Sequence, residues 1–127
     1  MRHLIIEGPD GAGKSVLCRQ VMERFHTNIE PLIYHHEGPP PTGPVLGHYV
    51  ELLVRERSHV FDRLHLGELV YGPILRGHSA LSSVDLSVMN RLVDILEVQT
   101  IICLPPWETC AENTRGRKEY LNEAQRY

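Results

Sequence analysis

The sequence predicts an α/β layered fold, with a parallel β-sheet flanked by helices on both faces. Three observations carry that prediction. Short apolar runs alternate with stretches whose apolar residues recur at helical spacing. The run "VQTIICL" (Val98 to Leu104) is apolar nearly throughout, as a strand covered on both faces reads. The glycine loop "EGPDGAGKS" (Glu7 to Ser15) stands between the first apolar run and the first helical stretch, where a strand hands over to a helix.

The elements follow in order. "LIIE" (Leu4 to Glu7) is the first strand. After Ser15, residues Leu17, Cys18, Val21, Met22 and Phe25 share one helical face, with Arg19, Gln20, Glu23 and Arg24 outward. "PLIYHH" (Pro31 to His36) is the second strand. The following "EGPPPTGP" holds three consecutive prolines, which fix an extended loop. Leu46, Tyr49, Val50, Leu53 and Val54 give the next helical stripe, and "HVFD" (His59 to Asp62) is a short strand ending in an acid. Leu66, Leu69, Val70 and Ile74 line one side of a further helix, which Pro73 should kink or divide. Ser82 and Asp85 form a capping-box pattern ahead of a helix carrying Leu86, Met89, Val93 and Leu96. Val98 to Leu104 is the fourth strand, and "PPWETC" opens a last, charge-rich helix. Residues 1–127 read as a single domain.

Composition narrows the function classes. Hydrophobic residues make up 42% and charged residues 23%, ordinary values for a globular domain. The formal net charge of -3 gives no general attraction for nucleic acid or anionic membrane. No apolar run reaches membrane-spanning length, and no signal peptide is expected ahead of the first strand. Cys18, Cys103 and Cys110 are odd in number and lack CxxC spacing. They read as buried small hydrophobes in a reducing compartment, the cytoplasm.

The loop supplies the first chemistry. Gly8, four residues, then Gly13-Lys14-Ser15 satisfies the G-x-x-x-x-G-K-[ST] phosphate-loop pattern, with a strand before it and a helix after it. Backbone N–H groups of Gly8, Gly11, Ala12, Gly13, Lys14, Ser15 and Val16 would cradle the phosphates of ATP. The helix N-terminus adds a favourable dipole. Lys14 would reach the β- and γ-phosphates, and Ser15 would ligate Mg²⁺. GTPases, motor ATPases and small-molecule kinases share this loop. No [NT]-K-x-D guanine motif and no apolar strand ending in Asp-Glu occurs, so the reaction must be read elsewhere.

A second stretch, "DRLHLGELVYGPILRG" (Asp62 to Gly77), follows the third strand. With "EGPDGAGKS" it resembles the thymidylate kinase family and its phage deoxynucleotide-kinase relatives. Members carry an E-G-x-[DE]-G-A-G-K-[ST] loop, then D-R-[YFH] with Tyr, Arg and Gly at fixed distances. Here Asp62, Arg63, Tyr71, Arg76 and Gly77 fall at those distances. Element order matches over roughly the whole chain, but only these two stretches match tightly. The resemblance implies a P-loop kinase using ATP and Mg²⁺, with dTMP or a related pyrimidine nucleotide as acceptor. It also implies a location in the cytoplasm, the host's if the gene is a phage's.

The resemblance implies site roles residue by residue. Asp10 lies near the acceptor's sugar 3′-hydroxyl and the metal. Asp62 lies at the metal, and Arg63 on the acceptor phosphate; a surface ion pair is the plainer reading of Arg63. Tyr71 packs on the sugar, or simply in the core. Glu68 faces the base, or is a solvated helix residue. Relatives that lack an Arg in the phosphate loop supply it from a mobile lid. This loop has Gly11 and Ala12, so Arg115 and Arg117, with Lys118, are the candidates in a lid region over residues 105–120; the alternative is a solvated helix face.

The chain also departs from the family. The Arg-Glu-Pro-Gly-Gly-Thr type loop is replaced by "HHEGPPPTG", and Gly72 stands where Gln is common, so the base is left open. Glu37 reads as a general base for a nucleoside 5′-hydroxyl, as an orienting acid for a monophosphate, or as a surface loop acid. His35 and His36 are adjacent in a strand and point to opposite faces, so they would not share an ion. All eight histidines read as structural or surface residues. Trp107 reads as a packing anchor after Pro105-Pro106, or as a stacking platform for adenine. The family adds a helix and a fifth strand after the lid. Residues 1–127 would be a minimal version, with part of the adenine pocket missing or borrowed from a partner chain as a homodimer, or a portion of a longer protein. The rival functions are a deoxynucleoside kinase, a kinase of a modified base or end in DNA, and an ATP-binding regulatory module without transfer.

Overall fold

A computed structural model describes residues 3–38 and 45–114, without the side chains of residues 71, 75 and 76. The elements are β1 (Leu4–Glu7), α1 (Lys14–Phe25), β2 (Ile33–His36), α2 (Leu46–Leu53), β3 (His59–Asp62), α3 (His65–Arg76), α4 (Ser83–Ile95), β4 (Gln99–Ile102) and α5 (Trp107–Thr114). The strands form one parallel sheet in the order β2-β3-β1-β4.

Strand alternation sends neighbouring residues into two separate cores. Ile5 and Phe61 face one side, against Tyr49, Leu52 and Leu53 of α2 and Met89 of α4, with Leu69 of α3 at the margin. Ile6 and Val60 face the other, against Cys18, Leu17, Val21 and Met22 of α1. Helices therefore cover both faces, the three-layer α/β arrangement that the sequence predicts. The connection after β1 runs over one face and the connections after β3 over the other. That divergence opens a crevice between the carboxyl ends of β1 and β3, the usual ligand position in such sheets.

Local signals mostly fold as read. Ser82 accepts the Asp85 N–H (3.1 Å) and Asp85 accepts the Ser82 N–H (3.0 Å), so the capping box is formed at α4. Cys18 and Cys110 are buried, and Cys103 is partly so; all three are free thiols.

Some expectations are corrected. β4 is not covered on both faces. It is the sheet's edge among the described residues, and Ile101 and Ile102, on opposite faces, are 40% and 57% exposed. An apolar run sets strand propensity but not position in the sheet, and the described helices stack over the central strands. Pro73 does not divide α3, which runs unbroken to its Gly77 C-cap; the proline removes one N–H from the last turn without ending it. Phe25, Val54, Val70 and Ile74, expected on apolar stripes, are exposed. Trp107 keeps 37% of its surface. No described helix is long and apolar enough to cross a membrane.

Candidate active site

The glycine loop and its flanks form one wall of a cleft of ≈ 400 Å³ at the carboxyl end of the sheet. Asp10, Gly11, Gly13, Lys14, Ser15 and Val16 line that wall; Asp62, Arg63, His36 and Asn113 complete the cleft. Gly13 is the N-cap of α1 at φ 87, a left-handed conformation that glycine adopts without the Cβ penalty. Gly11 is needed for a different reason. A Cβ there would overlap the carbonyl oxygen of Cys110 and stand 2.8 Å from Thr114 Cγ2. Helix α5 is thus seated directly on the loop, and the Asn113 side-chain amide donates to the Gly11 carbonyl at 2.9 Å.

Lys14 is buried, and its ammonium donates to the Pro9 carbonyl at 2.7 Å, spanning its own loop. Burial, and then nearby Arg63, pull its pKa below the ordinary lysine value, with Asp62 and Asp10 opposing. Arg63 follows β3 in a left-handed conformation (φ 71), its N–H bonded to Ile6 of β1 at 2.9 Å. That backbone costs about 1–2 kcal/mol and turns the guanidinium into the cleft, where it pairs with the Asp10 carboxylate.

Asp62 is fully buried at the end of β3. Its Oδ2 accepts the Ser15 hydroxyl at 2.7 Å and the Tyr34 phenol at 2.7 Å, and His36 Nδ1 lies 3.4 Å away. Burial acts to raise the Asp62 pKa. The hydrogen bonds from Ser15 and Tyr34, with His36, outweigh it and hold the carboxyl below the usual value. Asp62 Oδ1 is buried with no hydrogen-bond partner. Ser15 spends its one proton on Asp62, which leaves its oxygen lone pairs available. An oxygen-only pair of this kind fits a hard divalent cation such as Mg²⁺, completed by phosphate and water. Among the described residues no group of three or more His, Cys, Asp and Glu is arranged to hold a metal.

The opposite face of the sheet holds a second set of acids. Glu7 is buried, and its Oε2 accepts the Gly67 N–H at 3.0 Å, in the first turn of α3. Burial raises its pKa, and backbone donors at the start of α3 offset part of the rise. Glu37 follows β2, its N–H bonded to the Asp62 carbonyl at 3.0 Å. Its Oε2 meets His48 Nε2 of α2 at 2.9 Å and His35 Nε2 at 3.7 Å. Glu37 is no freely solvated loop acid, and it does not line the cleft.

Glu68 is corrected from a solvated helix residue. It is buried, and its carboxylate accepts the Ala80 N–H at 2.9 Å, tying α3 to the start of α4. The Tyr71 side chain, and Arg115 and Arg117 altogether, lie outside the described residues. His35 and His36 do point to opposite faces, toward Phe61 and toward Asp62.

Tyr34, His48 and Asn113 were not singled out by the sequence, and His36, read there as structural or surface, lines the cleft beside Asp62. Tyr34 and His36 stand two apart in a strand, so a shared face could be read. Which strand and which acid they meet depends on the β2–β3 register, His36 opposite Asp62, which the sequence does not encode locally.

Neither a protein-family model nor a curated protein sequence matches the chain. Solved structures do. The YorR protein from Bacillus subtilis, in complex with phosphorylated GDP, superposes with a TM-score of 0.72 at 18% identity, covering 89% of this chain and 65% of that one. Deoxyadenosine kinase from M. mycoides, with products dCMP and a flexible dCDP bound, gives a TM-score of 0.51 at 15% identity, covering 97% of this chain and 77% of that one. The chain thus spans just under two thirds of the length of the first. These likenesses, with the loop geometry, establish the α/β P-loop fold.

Proposed function

We propose that the protein transfers the terminal phosphoryl group of ATP to a deoxynucleoside monophosphate, dTMP or a related pyrimidine nucleotide. The observation that carries this reading is one cleft with the glycine loop, Lys14 and Ser15 on one wall and an arginine on the other. A second cation in the cleft, Arg63 near Lys14, disfavours a module that only binds ATP. The two similar structures, by their own descriptions, hold nucleotides: phosphorylated GDP in one, dCMP and dCDP in the other.

In this reading the loop amides and Lys14 hold the donor's phosphates. Ser15 and Asp62 hold Mg²⁺, which when bound neutralises charge on the phosphate oxygens. Arg63 clamps the acceptor phosphate, and Asp10 turns from Arg63 to the acceptor's 3′-hydroxyl. Tyr71 packs on the sugar. Arg115 and Arg117 bring positive charge to the transferring group. Catalysis is then positioning and charge neutralisation.

A neutral hydroxyl acceptor needs a base, whereas a phosphate acceptor is already an anion. Glu37, the candidate base, has Oε2 engaged by His48 and stands outside the cleft lining, which favours the monophosphate. The likeness to deoxyadenosine kinase supports a second reading, with a deoxynucleoside as acceptor and Glu37 as its base. Coupled ADP-release assays over dTMP, dUMP, dCMP, dGMP, thymidine and DNA separate these. Turnover with a monophosphate supports the proposal, turnover with thymidine alone moves it to the second reading, and ATP binding without any product overturns both.

A further inference from the structure

Among the residues around the cleft, Tyr34 stands out because it is half-exposed yet spends its hydroxyl on a buried carboxylate. The residue keeps 43% of its surface, so it is not a core aromatic held for packing. Its phenol donates to Asp62 Oδ2 at 2.7 Å, the same oxygen that takes the Ser15 hydroxyl at 2.7 Å. His36 adds a third group at 3.4 Å, beyond good hydrogen-bond distance. Two strong donors and a nearby imidazole saturate one oxygen. The other, Oδ1, is buried and without a hydrogen-bond partner.

We infer that Tyr34 is a positioning residue that fixes the Asp62 carboxylate, so that Oδ1 and the Ser15 hydroxyl oxygen are presented together to a divalent cation. The inference rests on the proposed nucleotide site and deepens it. A carboxylate bound through one donor can rotate about its last side-chain torsion, which is a soft, broad one. Held by two donors from different elements, the helix start at Ser15 and the strand at Tyr34, it keeps one orientation before any ligand arrives. Its Oδ1 is then spared for the cation, and Ser15 keeps its lone pairs for the same ion.

The test is Tyr34→Phe, which removes one oxygen from a half-exposed ring. ADP binding is measured by calorimetry in EDTA and again with MgCl₂, in wild type and variant. The expected result is unchanged affinity in EDTA, within about twofold, and a Mg²⁺-dependent gain reduced about tenfold, the usual size of an outer-shell effect on metal affinity. The Asp62 carboxyl ¹³C resonance of the ligand-free protein should move as well. An intact Mg²⁺ gain, or an equal loss with and without Mg²⁺, overturns the inference. Should wild type bind no ADP at all, the nucleotide reading fails separately, and the ligand-free Asp62 resonance decides Tyr34. If it moves the positioning stands, and if it does not the inference falls.

Discussion

The carboxylate of Asp10, in the glycine loop, and the guanidinium of Arg63, after β3, form an ion pair between residues 53 positions apart. The pair sets the donor loop and the D-R turn relative to one another in the ligand-free protein. If Arg63 binds the acceptor as proposed, the pair would also give that site a defined resting state, since an incoming phosphate would compete with Asp10 for Arg63. Replacing Arg63 by Ala is therefore expected to lower kcat/KM for the acceptor by about 10²–10³-fold while the KM for ATP changes little. Arg63→Lys should recover only part of this, because an ammonium lacks the bidentate fork. Steady-state kinetics with each substrate varied in turn check both outcomes.

Gly11 and Gly13 should respond differently to the same substitution. Gly13→Ala meets open space, so its stability cost is the left-handed backbone alone, about 1 kcal/mol. Gly11→Ala adds an overlap with the Cys110 carbonyl and must lift α5 from the loop, which raises the cost by about another 1–3 kcal/mol. Denaturant melts of the two variants should therefore separate clearly, with Gly11→Ala the lower. Equal midpoints would mean that α5 is not seated on the loop.

His65 gives the fold a predictable acid sensitivity. It is buried at the start of α3, and burial holds its pKa down to about 4, against 6.5 for an ordinary histidine, with Asn90 opposing. A lowered histidine pKa means that the unfolded chain binds the proton first. Its contribution is complete above pH 6.5 and is lost as pH falls toward 4, about 3 kcal/mol in all. His3 and His59 are lowered in the same direction. Glu7 is raised, so its contribution runs the other way and declines as pH rises above 4.5. Melting temperatures between pH 4.5 and 7.5 should fall less steeply in His65→Gln than in wild type.

Glu37 discriminates between acceptor types. If the acceptor is a monophosphate, Glu37→Gln keeps activity to within about tenfold, because the amide still pairs with His48 and no proton needs to be taken. If the acceptor is a neutral hydroxyl, losing the base costs about 10²–10⁴-fold. The comparison is made with dTMP and thymidine side by side.

The glycine-loop wall of the cleft was legible because its pattern is local. Loop, Lys14 and Ser15 lie within nine residues between a strand and a helix, and the structure keeps them together. Strand and helix identities were legible for the same reason. What was not legible depends on tertiary placement. β4 is apolar but lies at the edge, Gly11 is required by the seating of α5, and Glu68 is an internal tie. Tyr34 became visible only once β2 was in register with β3.

The most direct measurement is ADP release from ATP and Mg²⁺ in the presence of deoxynucleoside monophosphates, by wild type and by Lys14→Ala. Wild type should release ADP in step with formation of a deoxynucleoside diphosphate, and Lys14→Ala should lose at least about 10³-fold. A wild-type protein that binds ATP yet forms no diphosphate with any of the four monophosphates, or a Lys14→Ala variant with normal turnover, would contradict the account.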